Sequence, residues 1–241
     1  MKHILAIDTS TAWCSVALSL GEAAPLFRHE LVSAGASQLI LPLVEGLLKE
    51  ANLKLNNLAA IAVGIGPGAF TGVRLGVAVV QGLAVSCELP ILPVVSLDAI
   101  ASQTMHTTGF KQSQAKTFVI AIDARMNEIY WARYETSQNN LSAIRIGDIQ
   151  LSKPEEIDLS NTEYLAGSAL KAYGDRLIAN SSTIFTPASL DPEINITALG
   201  ILDCAQQLSH AGRQCDVRSL EPMYVRNKVA LTTIERQKAF K

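Results

Sequence analysis

The sequence predicts an α/β protein of two related lobes, each a mixed sheet with flanking helices. Three observations lead there. First, 4-ILAIDTSTAWCSVAL-18 and 119-VIAIDARMNEIYWARY-134 read alike: an apolar strand closing on Ala-Ile-Asp, a turn, then a second strand. Second, Ala6-Ile7-Asp8 and Ala121-Ile122-Asp123 lie 115 residues apart in a chain of 241, so the repeat falls near its middle. Third, each copy opens a run of strands joined to helices, the pattern of an α/β layer unit made twice.

The elements follow in order. Residues 3–10, 14–20 and about 24–32 read as three short strands joined by tight turns. In 37-SQLILPLVEGLLKEANL-53, Leu39, Ile40, Leu43, Val44, Leu47, Leu48 and Ala51 recur at helical spacing. Pro42 is tolerated there in a first turn and otherwise kinks the helix. Residues 58–66 read as a buried strand, 72–87 as a helix and 90–96 as a strand. Ser96 is a suitable N-cap for a further helix to about Thr107. The second lobe repeats with strands in 119–134 and a third over 142–151. A helix at about 195–211 is expected to pack back on the first lobe. These limits give lobes at 1–107 and 108–194 and a C-terminal extension at 212–241.

Composition narrows the function. Hydrophobic residues make up 49% of the chain and charged ones only 17%. An aliphatic excess of that size hints at a surface meant for a partner. The formal charge of −2 argues against nucleic-acid binding by bulk electrostatics. The stretch from Arg226 to Lys241 is a local exception, with five basic residues against Glu235. Cys14, Cys87, Cys204 and Cys215 are scattered, which suits reduced thiols in the cytoplasm. The opening MKHILAIDTS is too short in its apolar run for a signal peptide. The longest uncharged run, Leu55 to Val73, is broken by Asn, Gly and Pro, so no membrane span is expected.

The stretch 64-GIGPGAFTGVRLGVAVVQGLAV-85 raises the question of a phosphate cradle. No Lys follows Gly72, so it is not a phosphate loop, and Ala69 and Thr71 stand where G-x-G-x-x-G needs its last glycine. A structural turn is favoured over an anion site. Beyond the turn, only Gln81 and Ser86 are polar between Leu75 and Cys87. A helix apolar all round must be covered all round. Small residues at Gly72/Gly76 and at Ala78/Gly82/Ser86 allow close approach. Two readings stand, a core helix enclosed by its own chain or one covered by a second chain.

Paired lobes with an Asp ending each first strand resemble the actin, Hsp70 and sugar-kinase architecture. There the two turns grip the phosphates and metal of ATP, helped by a glycine after the Asp. The turns here read 8-DTST-11 and 123-DARM-126. Asp8, Thr9, Ser10 and Asp123 are therefore candidate positions of a vestigial nucleotide site. An ATP-dependent phosphotransferase of the sugar-kinase type, with Asp8, Thr9 and Asp123 at metal and phosphates, remains the alternative. The four histidines show no metal-ligand spacing, G-x-S-x-G is absent, and Asp98 reads as a capping carboxylate.

ILAIDTST at the start, GPGAFTGVRLG at 66–76, AIDARMNEIYWA at 121–132 and EPMYVR at 221–226 together resemble the bacterial TsaB (YeaZ) family. The resemblance spans essentially the whole chain and implies an actin-like fold. It implies an accessory, non-catalytic subunit that pairs with the catalytic paralogue TsaD and the ATPase TsaE. That assembly makes threonylcarbamoyladenosine at position 37 of ANN-decoding tRNAs. ATP and metal would belong to the partner subunits, tRNA contact would be indirect, and a homodimer would form without the partner. The paralogue carries an H-x-x-x-H metal pair after a Pro-Val; in 93-PVVSLDAIA-101, Ser96 and Ile100 stand at those places. Isoleucine cannot ligate a metal and serine is a poor substitute for imidazole. An old label for the wider family, zinc glycoprotease, suffers from the same gap. The expected interface is Leu39, Leu43 and Leu47 on the first helix with Gly72, Gly76, Val77, Val80, Gln81 and Ala84 on the second.

Overall fold

The computed structural model describes residues 3–32, 35–137 and 142–226. Its first sheet takes β1 (Ile4–Asp8), β2 (Trp13–Leu20), β3 (Ala23–Leu31), β4 (Ala60–Gly66) and β5 (Ile91–Val95). Their spatial order is β3-β2-β1-β4-β5. The first three run antiparallel, and β4 and β5 add in parallel. The second sheet takes β6 (Thr117–Arg125), β7 (Glu128–Thr136), β8 (Ala143–Ser152), β9 (Tyr164–Ala166) and β10 (Leu190–Asp191). Its order, β8-β7-β6-β9-β10, matches the first strand for strand, with the same directions. The duplication is one of topology as well as of sequence.

Helices α1 (Ala36–Glu50), α2 (Phe70–Cys87), α3 (Ser96–His106), α4 (Thr108–Ser113), α5 (Ser168–Tyr173), α6 (Asp175–Ile178) and α7 (Ala198–His210) complete it. Alternation along the strands sorts them into layers. On β1, Leu5 and Ile7 share a core with Ile40, Val44 and Leu47 of α1 and Val77, Val80 and Ala84 of α2. Ile4 and Ala6 face the other way, into a core with Ile201, Leu202 and Ala205 of α7 and Leu97 and Ile100 of α3. That inner core also holds Phe118, Ile120 and Ile122 of β6, so α3 and α7 lie between the sheets. Val119 and Ala121 point outward to Ala169 and Leu170 of α5 and Leu177 of α6. Both faces of β1 are covered, which is why all five of its residues are buried.

Polar contacts fix this packing. The Ala198 amide at the start of α7 donates to the Ser15 hydroxyl at 2.8 Å. Gln103 of α3 donates to the Asn195 carbonyl and accepts from the Thr197 amide. Asp98 is not a cap: its Oδ1 accepts the Tyr134 hydroxyl at 2.7 Å and lies 3.5 Å from Arg145, tying α3 to the second sheet. Burial raises its carboxyl above the usual range. Ser96 is not the N-cap either; it is the first residue of α3, and its buried hydroxyl has no partner. Pro42 lies beyond the first turn of α1, and the helix runs through it.

Helix α2 is long and apolar enough to cross a membrane by length and composition. Its buried face nevertheless packs on β4, the position of a core helix in this sheet. The segment 221–226 straps the two lobes: the Met223 amide donates to the Ile65 carbonyl, and Arg226 reaches Glu128 and the Ala124 carbonyl. The rest of the basic stretch, 227–241, lies outside the described residues.

Candidate functional site

The ends of β1 and β6 face a cleft of about 620 Å³ between the lobes, lined among others by Ser10, Thr11, Trp13, Ser96, Ile100, Asp123, Ser168 and Lys171. The first-lobe side is closed by its own backbone. Asp8 is 1% exposed; its Oδ2 accepts from the amide and hydroxyl of Ser10, both at 3.1 Å. Oδ1 has no partner and sits where a Cβ on residue 64 would have to be, so Gly64 is obligatory. Burial pushes this carboxyl up to about 6, against the pull of the two Ser10 bonds.

The glycine-rich turn serves this same closure. The Thr9 hydroxyl donates to the Gly72 carbonyl at 2.7 Å, and the Ala69 amide donates to the Ser10 carbonyl at 2.8 Å. A Cβ on Gly72 would collide with the Thr9 carbonyl oxygen, and one on Gly68 would come within 2.8 Å of the Ser10 Cβ. The glycines let the start of α2 lie directly on the 8–11 turn. The Thr9 hydroxyl and the Ser10 amide and hydroxyl are thus spent on the protein itself.

The second-lobe side is equally self-satisfied. Asp123 Oδ1 accepts from the Arg125 amide and the Tyr173 hydroxyl, both at 2.8 Å, and its Oδ2 pairs with Arg125 at 3.2 Å. Lys171 is engaged by Glu193 at 2.9 Å. Gly167 is the counterpart of the first lobe's glycines: at φ +116°, a Cβ there would strike the Ala121 carbonyl. Its single glycine in LAGSA gives little sequence signal. Asp8 is sealed from the cleft, and Asp123, Arg125 and Lys171 are paired within the protein, so the first-lobe carboxylate expected at metal and phosphates does not reach the cleft. Ser96 and Ile100 do line the cleft together, one turn apart on α3.

The outer helices hold the nine residues expected at the interface. Leu47, Gly76, Val77, Val80 and Ala84 are buried in the first lobe's own core, and Leu39 and Leu43 are partly buried against it. Gly72 is occupied by Thr9, and Gln81 donates to the Leu220 carbonyl at 3.0 Å. None of the nine is an open surface residue. The open side of α2 carries Arg74, Ala78, Gly82, Val85 and Ser86, and Leu41 and Gly46 are exposed on α1. The two small-residue series therefore divide cleanly. Gly72/Gly76 face inward to Thr9, while Ala78/Gly82/Ser86 face solvent. Apolar residues on every side hid the phase of the helix.

Two sheets of one topology, with paired helices between them, define an actin-like duplicated α/β protein. The family model for TsaD, tRNA N6-adenosine threonylcarbamoyltransferase, matches residues 29–223. The chain is 35% identical over 238 residues to the tRNA threonylcarbamoyladenosine biosynthesis protein TsaB of Escherichia coli (strain K12), covering 95% of this chain and 96% of that one. The Haemophilus influenzae TsaB is 34% identical, with 94% of each covered. Among solved structures, YeaZ from Pseudomonas aeruginosa superimposes with a TM-score of 0.79 at 33% identity, over 93% of this chain and all of that one. A Pseudomonas aeruginosa protein described as similar to the peptidase YeaZ gives 0.81 at 35% identity, over 94% of this chain and all of that one. The chain belongs to the TsaB (YeaZ) family.

Proposed function

We propose that this protein is a non-catalytic scaffold in the biosynthesis of threonylcarbamoyladenosine in tRNA, paired with the catalytic paralogue TsaD and served by the ATPase TsaE. The names of its relatives support the pathway. The observation that carries the scaffold role is the contrast between the two sides of α2. Its inner side closes the nucleotide turn with the protein's own groups, and its outer side leaves Ala78, Gly82 and Val85 exposed among the described residues. Small residues in that stripe permit a partner helix to approach closely, and burial of the aliphatic groups favours it.

In this reading α1 and α2 join the matching helices of the paralogue in an intermolecular bundle, and the pairing shapes the partner's active site. A self-complementary patch also allows a homodimer when the partner is absent. ATP and metal belong to the partners, and the assembly works in the cytoplasm. The test is sedimentation of the chain with and without TsaD, followed by threonylcarbamoyl transfer in the reconstituted system. A monomer with no affinity for TsaD, or transfer that proceeds equally without this chain, refutes the reading. Calorimetric titration with Mg-ATP addresses the sugar-kinase alternative, which requires binding at micromolar to low millimolar levels.

A further inference from the structure

Phe70, Arg74 and Tyr224 form one stacked unit at the start of α2. The Arg74 guanidinium carbon lies 3.8 Å from the Phe70 ring centroid and 5.5 Å from that of Tyr224, and its Nε donates to the Tyr224 hydroxyl at 2.8 Å. Both rings are more than half exposed, at 55% and 53%. No carboxylate pairs with Arg74 among the described residues. The unit borders an apolar recess of about 360 Å³ whose other walls include Pro67, Val73, Met126, Tyr130 and Met223.

The opposite rim is the tight turn between β6 and β7. Arg125, Met126 and Asn127 all have φ near +60°, three successive non-glycine residues in the left-handed region. Arg226 donates to the Ala124 and Arg125 carbonyls, and Arg176 donates to Asn127 Oδ1 at 2.7 Å. Met126 and Asn127 form the two-residue turn of the β6–β7 hairpin, where positive φ is the usual geometry. It leaves Met126 69% exposed at the rim.

Exposed aromatic rings beside a guanidinium that no carboxylate neutralises are suited to unpaired bases and their phosphates. Arg125 and Arg226 are paired with Asp123 and Glu128, so among the described residues the uncompensated positive charge at the recess is that of Arg74. With a formal charge of −2 overall, an RNA contact has to be local, and Arg74 supplies the positive charge at this recess. We infer that the recess between Phe70, Tyr224 and Met126 receives single-stranded RNA, with a base on the exposed rings and phosphate on Arg74. The inference rests on the proposed role in tRNA modification and adds a direct substrate contact outside the α1–α2 face.

The test uses the complex of this chain with TsaD and an unmodified tRNA transcript containing 4-thiouridine. Photo-crosslinks are mapped by mass spectrometry, and affinity is read by fluorescence anisotropy over a salt series. Crosslinks are expected on peptides spanning 70–74 and 223–226. Phe70→Ala and Tyr224→Ala are expected to weaken binding about tenfold, with Tyr224→Phe close to wild type because the ring remains. Arg74→Gln is expected to reduce the logarithmic salt slope by about 1. All three side chains are exposed, and thermal unfolding verifies that the variants fold. Crosslinks confined to other surfaces, or alanine variants that bind RNA like wild type, overturn the inference. Loss of TsaD affinity with RNA binding intact makes the recess a protein contact and also overturns it. If wild-type chain does not support transfer at all, the functional reading falls with it; if transfer needs the chain and the variants bind normally, only the RNA contact falls.

Discussion

The Thr9 hydroxyl donates to the Gly72 carbonyl at 2.7 Å, and the Thr9 carbonyl occupies the space a Gly72 side chain would need. This pair seats a turn that in ATP-binding relatives of the fold would face phosphate against the start of α2.

Gly72→Ala is therefore expected to cost about 2–4 kcal/mol, because the collision is with backbone on both sides. Gly46 and Gly82 have open space where a methyl group would stand, with no atom within 4 Å. Alanine at either is expected to raise stability by about 0.5–1 kcal/mol through helix propensity. Urea unfolding of the three variants checks the opposite signs.

Val85 is 64% exposed and Val80 is fully buried, although both lie on the same apolar helix. Val85→Arg is expected to leave the fold within about 0.5 kcal/mol of wild type and to abolish pairing with TsaD. Val80→Glu is expected to cost at least about 4 kcal/mol by burying a charge in the α1–α2 core. Thermal unfolding beside sedimentation with TsaD separates the two effects.

Asp8 gives a pH dependence of fixed sign. The folded carboxyl keeps its proton up to about pH 6, whereas its ordinary value is 3.8. The folded state thus binds more protons between those limits, and stability falls as pH rises through them. Above about pH 6 the full cost applies, about 3 kcal/mol. Asp8→Asn is expected to raise stability at pH 7.5 and to change it little at pH 3.5. An equal effect at both, measured by urea unfolding, contradicts this account.

Arg226 and Glu128 join the strap to the second lobe through a side chain that is only 14% exposed on the arginine. A double-mutant cycle with Arg226→Ala and Glu128→Ala is expected to show a coupling of about 1–2 kcal/mol. Arg226→Lys is not expected to restore stability, because one ammonium cannot serve the carboxylate and the Ala124 carbonyl in the arginine's fork geometry.

Alternation and helical spacing are local, so the residues themselves disclosed β1 to β8, α1, α2, α3 and α7, and the internal copy that makes Asp8 and Asp123 equivalent, but not the short β9, β10, α4, α5 and α6. The motifs at 66–76 and 221–226 were visible too, but not that both contribute to one recess at the edge of the cleft. Three matters belonged to the tertiary structure. The phase of α2 needed the sheet, because apolar residues on every side give periodicity nothing to point with; Val77, Val80 and Ala84 turned inward and Ala78, Gly82 and Val85 outward. The fate of the nucleotide turn needed the distance from Thr9 to Gly72, 63 positions along the chain. Asp98 looked like a cap until Tyr134 and Arg145 came to it from another sheet. Local residue order sets which groups a segment can hide or show, and only packing of segments remote in the chain decides which of them meet.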